Sequence, residues 1–462
     1  MSTAAVVLAA GEGKRMRSRR PKVLHEVAGR SLVGWVIAAA GEAGVEHVVV
    51  VVGRGADEVR SSLPDGVTSV VQQERNGTGH ATGIGLAALP PGVERVVVMC
   101  GDAPIISGDD VTALIAAHDE GGHRATMLTA VLDEAGGYGR VVRAADGTVA
   151  GVVEARDASP EQLAIGEVNS GLICFERDAL AAALPRVGSD NAQGEVYLPD
   201  VLPLLDGSVG AVVAADPRVI QGVNNRLELA ACAGAIQERL RAEAMLAGAG
   251  MPDPASVWLD ADVTVGPDSI LHPGTHLRGT TTIGAGCEIG PDVVITDSTV
   301  GDESTVVFAH VNDSEIGSRC QLGPFAYLRP GCSVAEGAKV GTYVEMKKTA
   351  LGPGAKVPHL SYIGDTEIGE GTNIGAGNIT ANYDGFRKHA TTIGARVKTG
   401  SDCVFVAPVT IGDDSMTAAG SILTDDVPPG ALGVARARQK NIEGFTERAR
   451  AKAQAAAEGA GE

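Results

Sequence analysis

The C-terminal half of the chain repeats every six residues. Apolar residues fall at this spacing in three runs: Ile283, Ile289 and Ile295; Ile316, Leu322, Leu328, Val334, Val340 and Met346; and Leu351, Val357 and Ile363. An amphipathic helix would repeat every ~3.6 residues and a sandwich strand every second residue, so the spacing excludes both. Glycine commonly follows the apolar residue. One inward aliphatic residue per short strand, with glycine at the corner, predicts a triangular parallel β-helix.

The composition agrees with a solenoid in part of the chain. Aromatic residues make up only 3% of the 462 residues, while 62 are glycine. This balance is poor for a large conventional core but suits thin coils with tight corners. The length predicts two or three domains.

The N-terminal half alternates short apolar runs with helical patterns. The predicted strands are Ala4–Leu8, Val48–Val52, Val70–Val71, Val96–Met99, Ala125–Val131 and Leu172–Phe175, and the predicted helices include Leu32–Glu42, Gly79–Leu89 and Val111–Asp119. The alternation predicts an α/β, Rossmann-like fold with a largely parallel sheet and ligands at the carboxyl ends of its strands. A long helical pattern from Asn224 to a break at Gly248–Pro252 predicts a connecting arm. The expected domains are 1–226, the helical linker 227–247, and 248–462.

Charge and cysteine usage narrow the class of protein. The formal net charge is −19, which argues against nucleic acid or an anionic membrane as a partner. The seven cysteines are dispersed and form no C-x-x-C pair, so neither a disulfide framework nor a zinc site is predicted. The sequence has no signal-peptide pattern and no run of about 18 apolar residues. We therefore expect a cytoplasmic protein.

The segment Leu8–Lys22 is strongly basic in an acidic chain. It follows the first predicted strand and holds two glycines, four arginines and two lysines. Gly11 and Gly13 permit a close backbone approach to a ligand, and Arg15 and Lys22 supply charges suited to phosphate. Its spacing fits neither a Walker A loop nor a dinucleotide fingerprint. The segment therefore predicts an anion site of another kind, and the alternative is a solvated basic loop.

A series of short motifs in a fixed order carries a family resemblance. The segments are LAAGEGKRM, PKVLH, QERNGTGHA, CGDAP, GYGR, GVVE, EVNSG, NAQGEVYLPD and GVNNRLEL, then GPFAYLRPG, VEMKK, HLSYIGD, NIGAGNITANYDG and APVTIGDDSMTAAGS. Together they resemble the bifunctional family that combines N-acetylglucosamine-1-phosphate uridylyltransferase with glucosamine-1-phosphate N-acetyltransferase. The resemblance implies that the C-terminal half acetylates glucosamine-1-phosphate with acetyl-CoA, and that the N-terminal half then transfers UMP from UTP. It also implies a left-handed β-helix, a homotrimer and a role in cell-wall biogenesis.

The first reaction is an in-line displacement at the α-phosphorus, which needs alignment and charge neutralisation rather than a protein nucleophile. Mg²⁺ is the natural neutralising cation, because it binds few protein oxygens besides phosphates. Asp102 follows an apolar strand and is the expected carboxylate ligand, and the resemblance makes Asn224 its partner. Either residue could instead be a helix N-cap.

The resemblance also implies the substrate contacts of the N-terminal half. Arg15 and Lys22 are the expected catalytic cations. The expected contacts to UTP and UDP-N-acetylglucosamine are Leu8, Ala9, Ala10, Gly11, Lys22, Gln72, Gly77, Thr78, Cys100, Gly101, Asp102, Gly139, Glu154, Asn169 and Asn224. Gly139, Glu154 and Asn169 would hold the N-acetylglucosamine moiety, the alternatives being a turn glycine and surface polar residues. Cys100 replaces a tyrosine of some family members, and Lys14 replaces the more usual threonine.

Acetyl transfer to an amine needs a base and donors for the oxyanion. His359 is the candidate base, and a satisfied surface histidine is the alternative. The resemblance implies that glucosamine-1-phosphate is bound by Arg329, Lys347, Tyr362, Asn373 and Lys388. It implies that acetyl-CoA is contacted by Ala376, Asn382, Tyr383, Ser401, Ala419 and Arg436, although Arg436 could belong to a plain basic tail. The segment ANYDGFRKH interrupts the six-residue repeat, and such excursions are where function tends to lie.

Two other functions are compatible with parts of the sequence. One is a nucleotidyltransferase that uses another base or sugar. The other makes the β-helix an assembly scaffold without acetyltransferase activity. A pure scaffold would not need Lys347, His359, Tyr362 or Asn382-Tyr383, so these residues favour the bifunctional enzyme.

Overall fold

The computed structural model describes residues 2–191 and 193–458, which form two compact units. The first unit extends to Ala247 and includes the later segments Asp253–Thr264 and Leu277–Thr280. The second unit contains Gly248–Pro252, Val265–His276 and the chain from Thr281 onward.

The first unit is an α/β fold. Its strands are β1 (Thr3–Ala9), β2 (Glu26–Val27), β3 (Arg30–Ser31), β4 (His47–Val52), β5 (Thr68–Val71), β6 (Arg95–Cys100), β7 (Ala125–Val131), β8 (Arg140–Arg143), β9 (Val149–Val153), β10 (Glu167–Glu176) and β11 (Val209–Val213). Its helices are α1 (Leu32–Glu42), α2 (Ala56–Ser61), α3 (Thr78–Ala87), α4 (Gly108–Gly121), α5 (Pro160–Leu163), α6 (Arg177–Ala183) and α7 (Arg226–Leu246).

The main sheet has the order β11-β7-β10-β6-β1-β4-β5. All neighbours are parallel except β10, which runs antiparallel to both β6 and β7. The strands and helices predicted from the alternating pattern are present. The hairpin of β8 and β9, which extends from β10, was not predicted. The sheet is therefore largely parallel, as expected, with one reversed strand.

The long helix α7 packs as part of the first unit. Cys232 and Ile236, on one side of it, are fully buried. The side-chain amide of Gln237 donates to the carbonyl of Leu259 at 2.5 Å and accepts from the N–H of the same residue at 3.0 Å. The predicted connecting arm is thus tied by buried contacts to the segment Asp253–Thr264 of its own unit.

Short strands follow one another through the rest of the chain. They are β12 (Trp258–Leu259), β13 (Thr264–Val265), β14 (Ile270–Leu271), β15 (Thr275–Arg278), β16 (Thr282–Ile283), β17 (Glu288–Ile289), β18 (Val293–Thr296), β19 (Thr299–Val300), β20 (Thr305–Val306), β21 (Ala309–Asn312), β22 (Ser314–Ile316), β23 (Gln321–Leu322), β24 (Ala326–Leu328), β25 (Cys332–Val334), β26 (Lys339–Thr342), β27 (Glu345–Lys347), β28 (Ala350–Leu351), β29 (Lys356–His359), β30 (Tyr362–Gly364), β31 (Thr366–Ile368), β32 (Ile379–Ala381), β33 (Thr391–Ile393), β34 (Val404–Val406), β35 (Val409–Ile411), β36 (Met416–Thr417), β37 (Ile422–Leu423) and β38 (Leu432–Gly433). A final helix, α8, spans Phe445–Glu458.

The second unit is a parallel β-helix with three faces. Its strands stack one coil upon the next in the orders β17-β20-β23-β26-β29, β18-β21-β24-β27-β30-β32-β34-β37 and β19-β22-β25-β28-β31-β33-β35. Every aliphatic residue of the three six-residue runs is at most 2% exposed. The predicted inward positions are therefore confirmed, and the repeat length sets the three-sided coil.

One corner of the β-helix repeats a left-handed backbone conformation in successive coils. Phe308, Phe325, Tyr343 and Leu360 occupy it with φ values of 46°, 60°, 55° and 49°. The ring of Phe325 lies 5.5 Å from that of Phe308 and 5.2 Å from that of Tyr343. Bulky residues rarely adopt this conformation, so the packed coil dictates it. Because the corner recurs in each coil, the residues immediately before it stack above one another.

The coil is interrupted between β32 and β33, as the sequence predicts. Tyr383 and Lys388 pair in antiparallel fashion, and the Lys388 ammonium lies 4.5 Å from the centre of the Tyr383 ring. Asp384 accepts from the backbone N–H groups of Phe386 and Arg387, and its other carboxylate oxygen contacts the imidazole of His389. These bonds, those from the backbone foremost, lower the pKa of Asp384 to about 2. The excursion is therefore an ordered hairpin.

No helix in the described part of the chain is long and apolar enough to cross a membrane.

Candidate active sites

The basic segment after β1 folds back so that Lys22 packs against the turn at Gly13. Gly13 has a φ of 64°, and a Cβ atom on it would lie only 2.6 Å from the Cβ of Lys22. Only glycine fits this close approach. The turn continues into a short 3₁₀ helix whose Met16 is buried. Local sequence thus fixes Lys22 beside the carboxyl end of β1.

Lys22 joins the two residues predicted to bind a cation. Its ammonium forms a salt bridge with the Asp102 carboxylate and donates to the amide oxygen of Asn224 at 3.3 Å. The Lys22 side chain is only 10% exposed and that of Asp102 is 23% exposed. Two oxygen ligands from distant parts of the chain therefore converge on one positive charge.

The helix-capping alternatives for Asp102 and Asn224 are wrong. Ser107 caps α4, together with Asp110 in a reciprocal capping box. Asn225 caps α7, where its side-chain oxygen accepts from two backbone N–H groups of the first turn. The side chains of Asp102 and Asn224 are therefore not used by helix ends, and both face Lys22.

A cavity of about 760 Å³ lies at the carboxyl ends of β1 and β5. The predicted nucleotide contacts that line it are Leu8, Ala9, Ala10, Gly11, Lys22, Gln72, Gly77, Thr78, Cys100 and Asp102. Gln72 is buried, and its amide donates to the carbonyl of Gly77 at 3.2 Å. Gly101 lines neither this cavity nor its neighbour; its N–H donates to the carbonyl of Leu8 at 2.9 Å. Ten of the fifteen predicted contacts to UTP and UDP-N-acetylglucosamine therefore surround one cavity.

A second cavity, of about 780 Å³, adjoins the first. It is lined by the predicted residues Arg15, Cys100, Asp102, Gly139, Glu154, Asn169 and Asn224. Burial, and then the nearby carboxylates of Asp200 and Asp157, raise the pKa of Glu154. The sequence reading missed Tyr138, Tyr197 and Glu228, which also line this cavity. In the sequence, only their positions within the quoted motifs GYGR, NAQGEVYLPD and GVNNRLEL could have indicated them.

The two cavities share Cys100 and Asp102. Burial, and then the charge of Asp102, raise the pKa of the Cys100 thiol to about 12, so it stays protonated and is not a nucleophile. Of the two residues that both cavities share, Asp102 is therefore the one whose side chain carries a charge. A ligand in each cavity would meet its neighbour beside Asp102, Lys22 and Asn224.

In the β-helix, several predicted residues form one polar cluster. The Lys347 ammonium lies 3.4 Å from the Asp365 carboxylate. The amide of Asn382 donates to the same carboxylate at 2.5 Å and to the Tyr362 hydroxyl at 3.5 Å. A Cβ on Gly364 would lie 2.6 Å from that hydroxyl oxygen, so glycine permits the packing. The sequence reading missed Asp365, which holds the cluster together.

Arg329 lies on the same face, one coil before Lys347. Its N–H donates to the carbonyl of Met346, and its guanidinium lies 3.1 Å from the Glu345 carboxylate. Glu345 in turn pairs with Tyr362 across β27 and β30. Two cations are thus presented in adjacent coils on the face that also carries Tyr362.

His359 begins a column of predicted residues at the corner described above. The backbone N–H of Gly377 donates to the carbonyl of His359 at 3.3 Å. In the same way, the N–H of Asp402 donates to the carbonyl of Ala376 and the N–H of Gly420 donates to the carbonyl of Ser401, both at 2.8 Å. These bonds stack four residues in consecutive coils: His359, Ala376, Ser401 and Ala419. The His359 side chain is exposed. The structure therefore aligns the candidate base with three of the predicted acetyl-CoA contacts.

Three other predicted residues lie apart from these two groups. Asn373 pairs with Lys356 and Lys398, three residues before Ala376. Lys388 stacks on Tyr383 in the excursion hairpin. Arg436 is exposed and follows β38.

The described residues contain no group of three or more His, Cys, Asp or Glu side chains that could hold a metal. Any cation at Asp102 and Asn224 would therefore take its other ligands from substrate and water, which is the usual arrangement for Mg²⁺.

Comparisons with known proteins agree with this division of sites. Residues 5–190 match the MobA-like NTP transferase domain, and residues 262–306 match the bacterial transferase hexapeptide family with six repeats, a match consistent with a left-handed coil. The chain is 51% identical to the bifunctional protein GlmU of Streptomyces avermitilis over 97% of this chain and 94% of the relative. It is 48% identical to the bifunctional protein GlmU of Corynebacterium aurimucosum over 97% of this chain and 94% of the relative. It is also 48% identical to that of Heliobacterium modesticaldum over 96% of this chain and 98% of the relative. The chain therefore belongs to the GlmU family of bifunctional transferases, with a nucleotidyltransferase unit followed by a hexapeptide-repeat unit of acetyltransferase type.

Proposed function

We propose that this chain makes UDP-N-acetylglucosamine in two steps. The β-helix acetylates glucosamine-1-phosphate with acetyl-CoA, and the α/β unit transfers UMP from UTP to the N-acetylglucosamine-1-phosphate. The observation that carries the proposal is the pair of cavities that meet at Asp102, beside Lys22 and Asn224. Two separate ligands with one shared junction are what a group transfer between them requires.

In the uridylyl step, UTP occupies the 760 Å³ cavity and the sugar phosphate occupies the 780 Å³ cavity. A phosphate oxygen of the sugar attacks the α-phosphorus at the junction, and the bond to the bridging oxygen of pyrophosphate breaks. Lys22 neutralises charge there, with Arg15 beside it in the sugar cavity. Glu154 and Asn169 orient the N-acetylglucosamine moiety.

We propose Asp102 and Asn224 as the protein ligands of a Mg²⁺ ion. The convergence of their two oxygens on the Lys22 ammonium supports this, because the same oxygen set suits a hard cation. The bound ion would supply charge neutralisation to the phosphates.

In the acetyl step, His359 removes a proton from the sugar ammonium so that the amine can attack the thioester carbonyl. The carbon–sulfur bond then breaks, and CoA leaves as a thiolate that takes up the proton held by His359. Arg329 and Lys347 bind the phosphate of glucosamine-1-phosphate. Asp365 holds Lys347 at 3.4 Å and orients Asn382. Ala376 and Ala419, stacked with His359, contact acetyl-CoA through backbone groups, with Ser401, Tyr383 and Arg436 as further contacts.

We propose a cytoplasmic homotrimer assembled through the β-helix, in which Tyr383 of one subunit lies beside His359 of another. The hexapeptide match and the exposed Tyr383 hairpin support an assembly of this kind. The seven free cysteines suit a reducing compartment. Light scattering tests the assembly, and a monomer that still acetylates would contradict the shared site.

The proposed function is tested with the purified full chain and three substrate mixtures. Glucosamine-1-phosphate, acetyl-CoA and UTP together should yield UDP-N-acetylglucosamine and pyrophosphate. N-acetylglucosamine-1-phosphate with UTP should yield the same sugar nucleotide without acetyl-CoA, and replacing UTP by CTP, GTP or ATP should not. Activity with another nucleotide would favour a different nucleotidyltransferase, and no consumption of acetyl-CoA would favour a scaffold.

A further inference from the structure

Glu228 lines the cavity of about 780 Å³ and is not used by the mechanism above. It lies in the first turn of α7 and is partly buried. One oxygen of its carboxylate accepts from the backbone N–H of Asn224 at 2.6 Å, and the other accepts from the side-chain amide of Asn225 at 2.5 Å. Both oxygens therefore have donors within the protein, and the carboxylate holds the chain just before α7.

The hydrogen bonds of Glu228 depart from an ordinary capping box. In that motif the third residue of a helix accepts from the backbone N–H of the N-cap residue. Asp110 does this for Ser107 at the start of α4, at 2.9 Å. Glu228 is likewise the third residue of α7, and Asn225 is the N-cap, yet the carboxylate reaches one residue further back, to the N–H of Asn224. The backbone that it holds is therefore that of the proposed metal ligand.

A second hydrogen bond ties the same segment to Asp102. The backbone N–H of Val223 donates to the backbone carbonyl of Asp102 at 2.8 Å, and Val223 is fully buried. Asn224 is thus held from two sides, by Asp102 through Val223 and by α7 through Glu228. Without the bond to Glu228, its backbone would be held from one side only, and its side chain would be free to turn away from the Asp102 carboxylate.

We propose that Glu228 is a positioning residue for the uridylyl step, because its bond to the Asn224 N–H directs the Asn224 amide oxygen to the cation position beside Asp102. The proposal rests on the proposed function, since it takes Asp102 and Asn224 as the protein ligands of Mg²⁺. Residues that orient a metal ligand typically change metal affinity roughly 10- to 100-fold when they are lost. Glu228 acts here through its hydrogen bond, so an uncharged side chain of the same shape should replace it.

The test measures binding of Mn²⁺, a paramagnetic substitute for Mg²⁺, by electron paramagnetic resonance with the full chain and UDP-N-acetylglucosamine. Glu228→Ala should weaken Mn²⁺ binding roughly tenfold. Glu228→Gln keeps an oxygen that accepts from the Asn224 N–H, and its affinity should stay within about threefold of the wild type. Glu243→Ala is the matched control, because it removes a carboxylate near the other end of α7, outside the lining of both cavities. It should change Mn²⁺ affinity by less than about twofold.

Asn224→Ala separates this proposal from the metal assignment. That variant should itself lose Mn²⁺ affinity, and adding Glu228→Ala to it should cause no further loss, because Glu228 acts through the Asn224 side chain. Additive losses would overturn the positioning role, and so would equal losses in Glu228→Gln and Glu228→Ala. If Asn224→Ala bound Mn²⁺ like the wild type, the metal assignment would be wrong and this proposal would fall with it.

Thermal unfolding and pyrophosphate release distinguish positioning from support of the helix. At saturating Mg²⁺, Glu228→Ala should approach the wild-type rate of pyrophosphate release, because a weakened metal site is filled at high concentration. Lower thermal stability of Glu228→Ala with unchanged Mn²⁺ binding would show that Glu228 only supports the start of α7, and would overturn the proposal while the metal assignment stands.

Discussion

Asp102 is the carboxylate at the wall between the two cavities, where it faces Lys22 and Asn224. Asp102→Asn keeps the shape of the side chain and removes its charge. We expect magnesium-dependent release of pyrophosphate to be abolished, because Asp102 is the charged member of the proposed pair of metal ligands. Pyrophosphate release from UTP and N-acetylglucosamine-1-phosphate measures this. Consumption of acetyl-CoA should be unchanged, and sugar-nucleotide formation at the wild-type rate would contradict the metal assignment.

His359 is exposed at the end of β29, before the corner residue Leu360. The amine of glucosamine-1-phosphate is largely protonated near neutral pH, so His359→Ala should lower the acetylation rate roughly 10²- to 10⁴-fold. Arg329 and Lys347 remain, so KM for the sugar phosphate should change much less than kcat. Initial rates of acetyl-CoA consumption measure both constants.

The uridylyl step is the control for His359→Ala. Given N-acetylglucosamine-1-phosphate and UTP, the variant should work normally. A loss of acetylation turnover smaller than fivefold would remove His359 as the base, and failure of both half-reactions would indicate a folding role instead.

Many of the candidate site residues could be proposed from the sequence, because the quoted motifs contain residues that lie at the ends of strands. Asp102 and Asn224 lie 122 positions apart and still meet at Lys22, which a family motif can indicate and local pattern alone cannot. Asp365 was missed although it lies in the quoted segment HLSYIGD. Its role depends on the excursion returning Asn382 to it, and this is a tertiary contact without a periodic signal.

At the scale of elements, short strands of the β-helix such as β24 have residues that are buried inside the coil beside others that face outward. Leu328 is fully buried and its neighbour Tyr327 is 41% exposed, although both lie in β24. Leu328→Ala should lower the free energy of unfolding by about 2 to 5 kcal/mol, since it leaves a cavity in a closed coil. Urea unfolding followed by circular dichroism at one protein concentration measures this. Tyr327→Ala is the paired control, with an expected loss of about 1 kcal/mol or less, and equal losses would contradict the inward assignment.

Elements with a continuous or repeated apolar pattern were predicted, and the short hairpin of β8 and β9 was not. The runs that became β1, β4, β6 and β7 are nearly continuous apolar segments, as buried parallel strands require. The strands β8 and β9 have only four and five residues and form a hairpin that pairs with β10 outside the main strand order, so each offers only a short pattern. The reversed direction of β10 also left no mark in the sequence, because a buried strand reads alike in either direction.

At the scale of the whole molecule, the boundary between the two activities can be tested by truncation. We expect a fragment ending at residue 280 to retain uridylyl transfer and one ending at 225 to lose thermal stability. The shorter fragment lacks the buried Cys232 and Ile236 of α7 and the double hydrogen bond between Gln237 and Leu259. Thermal unfolding and pyrophosphate release measure the two properties.

Both fragments keep Asn224, so a difference between them cannot come from the loss of that proposed ligand. Equal stability of the two would show that α7 is dispensable for the first unit, and the expected functional boundary near 226 would then be a structural boundary as well.

The column formed by His359, Ala376, Ser401 and Ala419 works as a molecular ruler. Neighbouring coils are about 4.8 Å apart, so the four residues mark a length of roughly 14 Å along the solenoid axis. A solenoid tolerates the gain or loss of a complete turn wherever nothing depends on length. An extra turn inserted before the coil that contains Arg329 should therefore leave acetylation intact. The same insertion between His359 and Ala419 would move the candidate base one coil away from the proposed acetyl-CoA contacts, although the length of acetyl-CoA is fixed.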